Sequence, residues 1–460
     1  MTTTLGKTVD VLIGSPRDSF YETVKVVLKG YYPYKLQPFK SVDTLLEQTS
    51  NSEFKPILAL IDGQDGTQAT NEWVQSTKMS YPECHIIVLH SAAAPLDFNI
   101  VKKNGADEVM HLNFDREFIS DMILQLAPID MEGDQIPITA LTPVDLRDIE
   151  AGVSINFDVY AHLHANHRSV VLRKAGDCID ARHIEKFHTM KQQMYIKKTQ
   201  LKQFFEYART VMSMRDIPFP ISMTEKFHRS KKAIYEIMTQ FLNGASTDYQ
   251  EGKLIYEKCK AIIADFELTK DLAPNELVDE ICRFSGNLRT YYHDCICMSA
   301  YGAYFAQLLG WPAEKREAAA IAGLLHNIGL SQLPPAAGDK MPKEMTAEEL
   351  AEYHKYPDRS VVMVKSKKVP LDQIIAEGIG QHRENMRGSG FPKKLTGPDI
   401  SEIGKLMMVA YHFHEMTALH DNRAAATPAQ AVTLLRDNAM TGNGDIDLIT
   451  ATAIFKKFKP

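Results

Sequence analysis

Cysteine is scarce. Six are spread over 460 residues, too few for a disulfide scaffold. Cys84, Cys178, Cys259 and Cys282 are scattered, Cys295 and Cys297 form a C-x-C, and no C-x-x-C occurs. A reducing cytosol is the expected setting. Long apolar runs are lacking too. The longest, Ala318 to Leu330, is broken by His326 and Asn327 and is too short to span a bilayer. The opening MTTTLGKTVDVLIG has no basic stretch leading into an apolar core, so no signal peptide is read. A soluble, cytoplasmic protein without membrane insertion is expected. No charge of one sign dominates: 52 basic residues face 58 acidic ones, for a net charge of −6. That argues against a nucleic-acid footprint over the whole chain. Internal repeats and low-complexity tracts are absent. A hydrophobic fraction of 44% with 24% charged residues is ordinary for a globular protein and excludes a fibrous or mostly disordered one.

The remaining pattern is multidomain. Over residues 8–125 the short apolar runs Val9–Ile13, Ile57–Ile61, Ile86–Leu89 and Glu108–Leu112 read as buried parallel strands with crossover helices between them, a doubly wound α/β domain assigned to residues 1–128. Residues 129–215 read as a small α+β module, with β-rich stretches at Ser154–Leu163, Ser169–Leu172 and Met194–Lys197, a turn at Lys174–Asp177, and helices from Asp180 and from Gln200. Residues 216–460 read as helix after helix, punctuated by proline and glycine. From Lys186 to Lys232, 11 Lys and Arg residues are opposed only by Glu206, Asp216 and Glu225. The reading adopted is a solvated face that meets acidic groups, with an anion or nucleic-acid site as the alternative.

The first domain resembles the receiver domains of two-component signalling. The resemblance rests on Ile57-Leu-Ala-Leu-Ile-Asp62 and on Gly105-Ala-Asp-Glu-Val109. It implies Asp62 as the phospho-acceptor position. Phosphoryl transfer there needs Mg²⁺ held by carboxylates. The expected acidic pair falls on Gly14 and Ser15, the hydroxyl residue near His90 or Ser91, and the last-strand lysine on Leu112. With no metal and no cation opposite Asp62, a pseudo-receiver used for docking or dimerisation is expected.

Histidine placement is the richest clue in the helical region. His293, His326 and His382 each lie in or beside an apolar helical stretch. Leu324-Leu-His-Asn-Ile-Gly329, His382-Arg-Glu-Asn-Met-Arg-Gly-Ser-Gly-Phe-Pro392 and Met408-Val-Ala-Tyr411 resemble the HD-GYP subgroup of the HD phosphohydrolase superfamily. The resemblance implies an all-α HD-superfamily domain that hydrolyses cyclic di-GMP at a two- or three-metal centre. It marks seven ligand positions: His293, His326, Asn327, Tyr356, His382, Arg383 and Tyr411. Four of the seven depart from the family's residues, and both carboxylates, at Asn327 and Tyr411, are among the four. Leu330 stands where the family has lysine, and Arg387 where it has aspartate.

A dinuclear centre needs bridging, neutralising carboxylates. The expectation is therefore a catalytically inactive regulator with no catalytic residues and no cofactor, holding at most one weakly bound transition metal on His293, His326 and His382. Arg383 would sit in the old metal cleft and pair with a carboxylate, Glu384 or Asp294. Tyr356 and Tyr411 would fill the volume of metal and water, with their hydroxyls paired. His354, His412, His414 and Asp294 are alternative donors. The GYP-like loop, Gly388, Ser389, Gly390, Phe391 and Pro392, is expected to serve protein contacts. Diguanylate cyclases, kinases or response regulators are the expected partners, with a homodimer as the default. Two alternatives stay open: a cyclic di-GMP phosphodiesterase with an atypical metal site, and a cyclic di-GMP receptor using Arg383, Arg387 and Arg423 for phosphates.

Overall fold

The computed structural model describes residues 9–28, 34–48, 54–91, 94–112, 114–128, 136–163, 168–190, 192–215, 222–245, 247–267, 290–334, 337, 340–418, 426–440 and 444–457. The chain divides into two compact units, residues 1–229 and 230–460. The stretches assigned above to an α/β domain and an α+β module thus lie within one unit.

The first unit opens with a five-stranded parallel sheet, β1 (Val9–Gly14), β2 (Tyr34–Phe39), β3 (Leu58–Asp62), β4 (His85–His90) and β5 (Glu108–His111), in the order β2-β1-β3-β4-β5. This is the flavodoxin-like order of doubly wound folds. The central β3, LALID, is buried at every residue, as a strand covered on both faces must be. Helices α1 (Asp18–Leu28), α2 (Val42–Gln48), α3 (Thr67–Ser80), α4 (Phe98–Lys103) and α5 (Arg116–Leu126) connect and follow the strands.

A four-stranded antiparallel sheet comes next, β6 (Leu141–Val144), β7 (Val159–Leu163), β8 (Arg168–Arg173) and β9 (Met194–Lys197), ordered β6-β9-β7-β8. Helices α6 (Ala181–Thr189) and α7 (Leu201–Met214) accompany it. Phe157, Phe187, Ile196, Phe204 and Val211 build its core. Of the β-rich stretch beginning at Ser154, only residues from Val159 form a strand; Ser154 makes an isolated bridge to Cys178. Helix α8 (Met223–Leu242) follows. Carboxylates meet the basic run: Arg209 and Arg229 share buried Glu225 at 2.7 Å each, Lys197 lies 3.5 Å from Asp158, Lys198 pairs with Asp121 and Arg215 with Glu150.

The second unit is helical, with α9 (Tyr249–Glu267), α10 (Tyr291–Leu308), α11 (Ala313–Leu325), α12 (Ala347–Tyr353), α13 (Tyr356–Ser366), α14 (Gln373–Gln381), α15 (Glu402–Thr417), α16 (Pro428–Met440) and α17 (Leu448–Phe455). Side chains start several of these helices. Thr290 accepts from the His293 amide, Asp372 from Ile375 and Ser401 from Gly404, each satisfying an orphan N–H. Helix α10 is buried almost all round, so it reads as the centre of the unit. It packs directly on α11 at Gly323, where an added Cβ would meet the Met298 carbonyl oxygen at 2.3 Å. No helix among the described residues is long and apolar enough to cross a membrane.

Candidate functional site

His326 and His382 are built alike. Each caps the C-terminus of its helix, α11 or α14, and each places Nδ1 2.7 Å from the carbonyl three residues back, Gly323 or Ile379. Nδ1–H donation there satisfies one of the free carbonyls of a helix end. It also fixes the tautomer and leaves Nε2 as an acceptor facing the interior. The two rings stand perpendicular with centroids 5.0 Å apart. Burial lowers both pKa values, that of His326 to about 4 and that of His382 well below the ordinary range. Both imidazoles are neutral at pH 7.

At His382 the interior acceptor is used by the protein itself. The Tyr356 hydroxyl lies 2.7 Å from Nε2. Burial raises the Tyr356 pKa, so the hydroxyl keeps its proton and donates it. Arg383 Nη1 donates in turn to Tyr356 Oη at 3.2 Å and to Tyr353 Oη at 3.0 Å. The polarity of the chain is continuous: Arg383 to Tyr356, Tyr356 to His382, His382 to the Ile379 carbonyl. The expected carboxylate partner of Arg383 is replaced by aromatic faces. Its guanidinium carbon lies 4.1 Å from the centroid of Tyr411, 4.6 Å from Phe391, 5.9 Å from Tyr353 and 6.0 Å from Tyr356. Cation–π attraction is strongest for a cation withdrawn from water. Both expected carboxylates are committed elsewhere. Glu384, 1% exposed, accepts the Lys393 and Leu395 amides at 2.7 and 2.9 Å. Asp294 holds His414 at 2.8 Å.

Asn327 is equally committed. Its Oδ1 accepts from the Cys295 thiol at 3.0 Å, and its Nδ2 donates to the Tyr291 carbonyl at 3.0 Å. A bridged pair of divalent ions does not fit this set. The position that the HD-GYP resemblance marks as bridging carries a neutral amide already used on both sides, Tyr356 takes the lone pair of one histidine, and a fixed cation stands beside it.

The GYP-like loop meets the Arg383 cluster through Phe391. This ring stacks on His354 at 4.3 Å and packs against Tyr353 and Tyr356. Gly390 is required, since a Cβ there would lie 2.5 Å from the Asn385 amide nitrogen. Asn385 organises the turn by accepting from the Arg387 and Ser389 amides. Arg387 and Ser389 are exposed. Arg423 and Cys282 lie outside the described residues.

Glu384 takes a role not expected of it, and two of the alternative donors, Asp294 and His414, come together with His293. The carboxylate of Glu384 holds the loop from inside. His414, one turn beyond Tyr411 on α15, joins Asp294 and His293: among the described residues these three alone bring His, Cys, Asp or Glu donor atoms within 4.8 Å of one another. His293, His326 and His382 do not form such a group. The shared face of positions 411 and 414 on one helix was the available signal.

In the first unit Asp62 is met by a cation after all. Arg17 Nη1 lies 2.8 Å from Asp62 Oδ2, the Ser15 hydroxyl donates to the same oxygen at 2.6 Å, and Arg17 also pairs with Asp65. The carboxylate is buried and so is neutralised internally.

Acid is expected to loosen the helical unit. As pH falls from 6.5 toward 4, the unfolded chain takes up protons that His326 and His382 refuse in the folded state. Stability is therefore full above the ordinary histidine pKa of about 6.5 and declines as pH falls below it. Thermal melts at pH 7, 6 and 5 check this; a flat Tm contradicts it.

Residues 271–448 match the HD domain family. Similar curated proteins are the 3'3'-cGAMP-specific phosphodiesterase 2 of Vibrio cholerae, 26% identical over 147 residues (32% of this chain, 27% of the relative), and the 3'3'-cGAMP-specific phosphodiesterase 1 of the same organism, 25% identical over 143 residues (31% and 32%). The alignments thus span under a third of the length of these relatives. A solved structure of an HDG"Y"P protein from Bdellovibrio bacteriovorus aligns with a TM-score of 0.44 at 18% identity, over 70% of this chain and 100% of that one.

Proposed function

We propose that this chain is a degenerate HD-GYP protein that does not hydrolyse cyclic dinucleotides and acts by protein–protein contact in a cyclic-dinucleotide or two-component pathway. The observation that carries the reading is the closed chain Arg383–Tyr356–His382, in which side chains fill the donor and acceptor roles that metal and water take in a working dinuclear site. The Asp62–Arg17–Ser15 cluster supports the same theme in the first unit, read as a receiver-like domain. There an internal guanidinium holds the carboxylate that Mg²⁺ would otherwise prepare for phosphoryl transfer. Partners are signalling proteins that meet the exposed rim of the GYP-like loop or the receiver-like domain. A cytoplasmic setting and a homodimer belong to this reading.

A second reading has its own support, in the names of the Vibrio cholerae relatives: a receptor that binds a cyclic dinucleotide without cleaving it. Calorimetric titration of the full chain with cyclic di-GMP and with 3'3'-cGAMP separates the two. The scaffold reading predicts no binding at high micromolar ligand and partner capture that depends on residues 385–390. Binding that Arg387→Ala removes contradicts it and favours the receptor.

A further inference from the structure

We propose that His293, Asp294 and His414 bind a single divalent transition-metal ion, of the Zn²⁺ class, that ties α10 to α15. The three donors come from two helices that are distant in sequence. His414 Nε2 lies 2.8 Å from Asp294 Oδ1, and His293 Nδ1 lies 3.6 Å from the same oxygen. Donor atoms bonded to one such ion at about 2.0–2.2 Å stand roughly 3–3.5 Å from one another, so small side-chain adjustments bring all three into one coordination shell. The imidazole planes of His293 and His414 are tilted by 49° with centroids 5.4 Å apart, so neither ring shields the other's nitrogen by stacking.

The outer contacts favour the same arrangement. His293 Nε2 lies 3.1 Å from the Cys297 sulfur one turn along α10. In the tautomer that donates Nε2–H to sulfur, the Nδ1 lone pair is directed to the side where Asp294 and His414 lie. A metal-bound histidine is commonly oriented by such a bond from its other nitrogen. Two neutral imidazoles and one carboxylate form a donor set that suits Zn²⁺ or Fe²⁺ and leaves positions open for water. His293 and His414 are buried, whereas the Asp294 side chain keeps 14% of its surface exposed, which marks the side from which an ion arrives.

This site is distinct from the positions that the HD-GYP resemblance marks. It shares only His293 with them and uses neither His326 nor His382. The proposal does not depend on the chain being inactive, because one ion held here bridges helices whether or not any phosphodiester is cleaved.

The test uses the full chain stripped of metal and titrated with Zn²⁺, and with Co²⁺ as a spectroscopic probe. The expected result is one ion per chain, a Co²⁺ visible band and a rise in Tm. Asp294→Asn and His414→Gln are expected to weaken binding by at least 100-fold, while His382→Ala leaves it within a few-fold. Circular dichroism checks that each variant is folded. Failure of the wild-type chain to bind overturns the proposal whatever the variants do. Binding unchanged in His414→Gln and Asp294→Asn, or lost in His382→Ala, also overturns it.

Discussion

Tyr356→Ala is expected to lower the stability of the helical unit by about 4 kcal/mol. The side chain is 2% exposed, and truncating a large buried aromatic costs about 3–5 kcal/mol through lost transfer energy and the cavity left behind. Two polar groups are stranded at the same time. His382 loses the donor to Nε2, and Arg383 loses one of its two hydroxyl acceptors. Tyr356→Phe isolates that polar part. It keeps the ring and removes the oxygen, with an expected cost of about 1–3 kcal/mol. Urea unfolding midpoints at an unchanged m-value measure both. A loss below about 1 kcal/mol for the alanine variant would mean that the chain through His382 contributes little to holding the pocket closed.

Gly323→Ala is expected to cost about 3 kcal/mol or more, although alanine is the better helix former. The new methyl would lie 2.3 Å from the Met298 carbonyl oxygen, 2.4 Å from its carbon and 2.5 Å from the Ser299 nitrogen. These are backbone atoms of α10, so the clash is relieved only by moving one helix away from the other. Overpacking of this kind is paid across the whole contact. Gly380→Ala is the matched control on α14. Its nearest neighbour to an added Cβ is Val361 Cγ2 at 3.7 Å, an ordinary contact. The propensity gain there is expected to stabilise by about 0.5–1 kcal/mol. If both variants shift the midpoint alike, close approach of α10 and α11 does not limit this core.

Strands β3 and β4 were legible because a covered strand is a continuous apolar run. Strand β2 was not, since YKLQPF lies at the sheet edge, only partly buried, and carries Lys35, Gln37 and Pro38, residues that an edge tolerates and a centre does not. Strand β6, LTPV, is also an edge strand and is only four residues long with Pro143 inside it. The histidines and the substituted ligand positions could be read from spacing within each motif. Their pairing could not. Whether His293 faces His326 or His414 depends on how α10, α11 and α15 cross, and no local pattern encodes that. The carboxylate expected for Arg383 followed from charge alone. Four aromatic faces and two hydroxyls perform the same neutralising role, and they come from four separate segments. The Arg17 contact with Asp62 is not legible from the receiver resemblance, which marks acidic positions, whereas this charge stands two residues beyond Ser15 and has the opposite sign.

The most direct measurement is turnover of cyclic di-GMP and 3'3'-cGAMP by the purified full chain after anaerobic reconstitution with Fe²⁺, Mn²⁺ or Zn²⁺, with metal content determined on the same sample. The pocket chemistry predicts no linear dinucleotide above background and no more than one ion per chain. Two ions per chain, or metal-dependent opening of either cyclic dinucleotide, would contradict it.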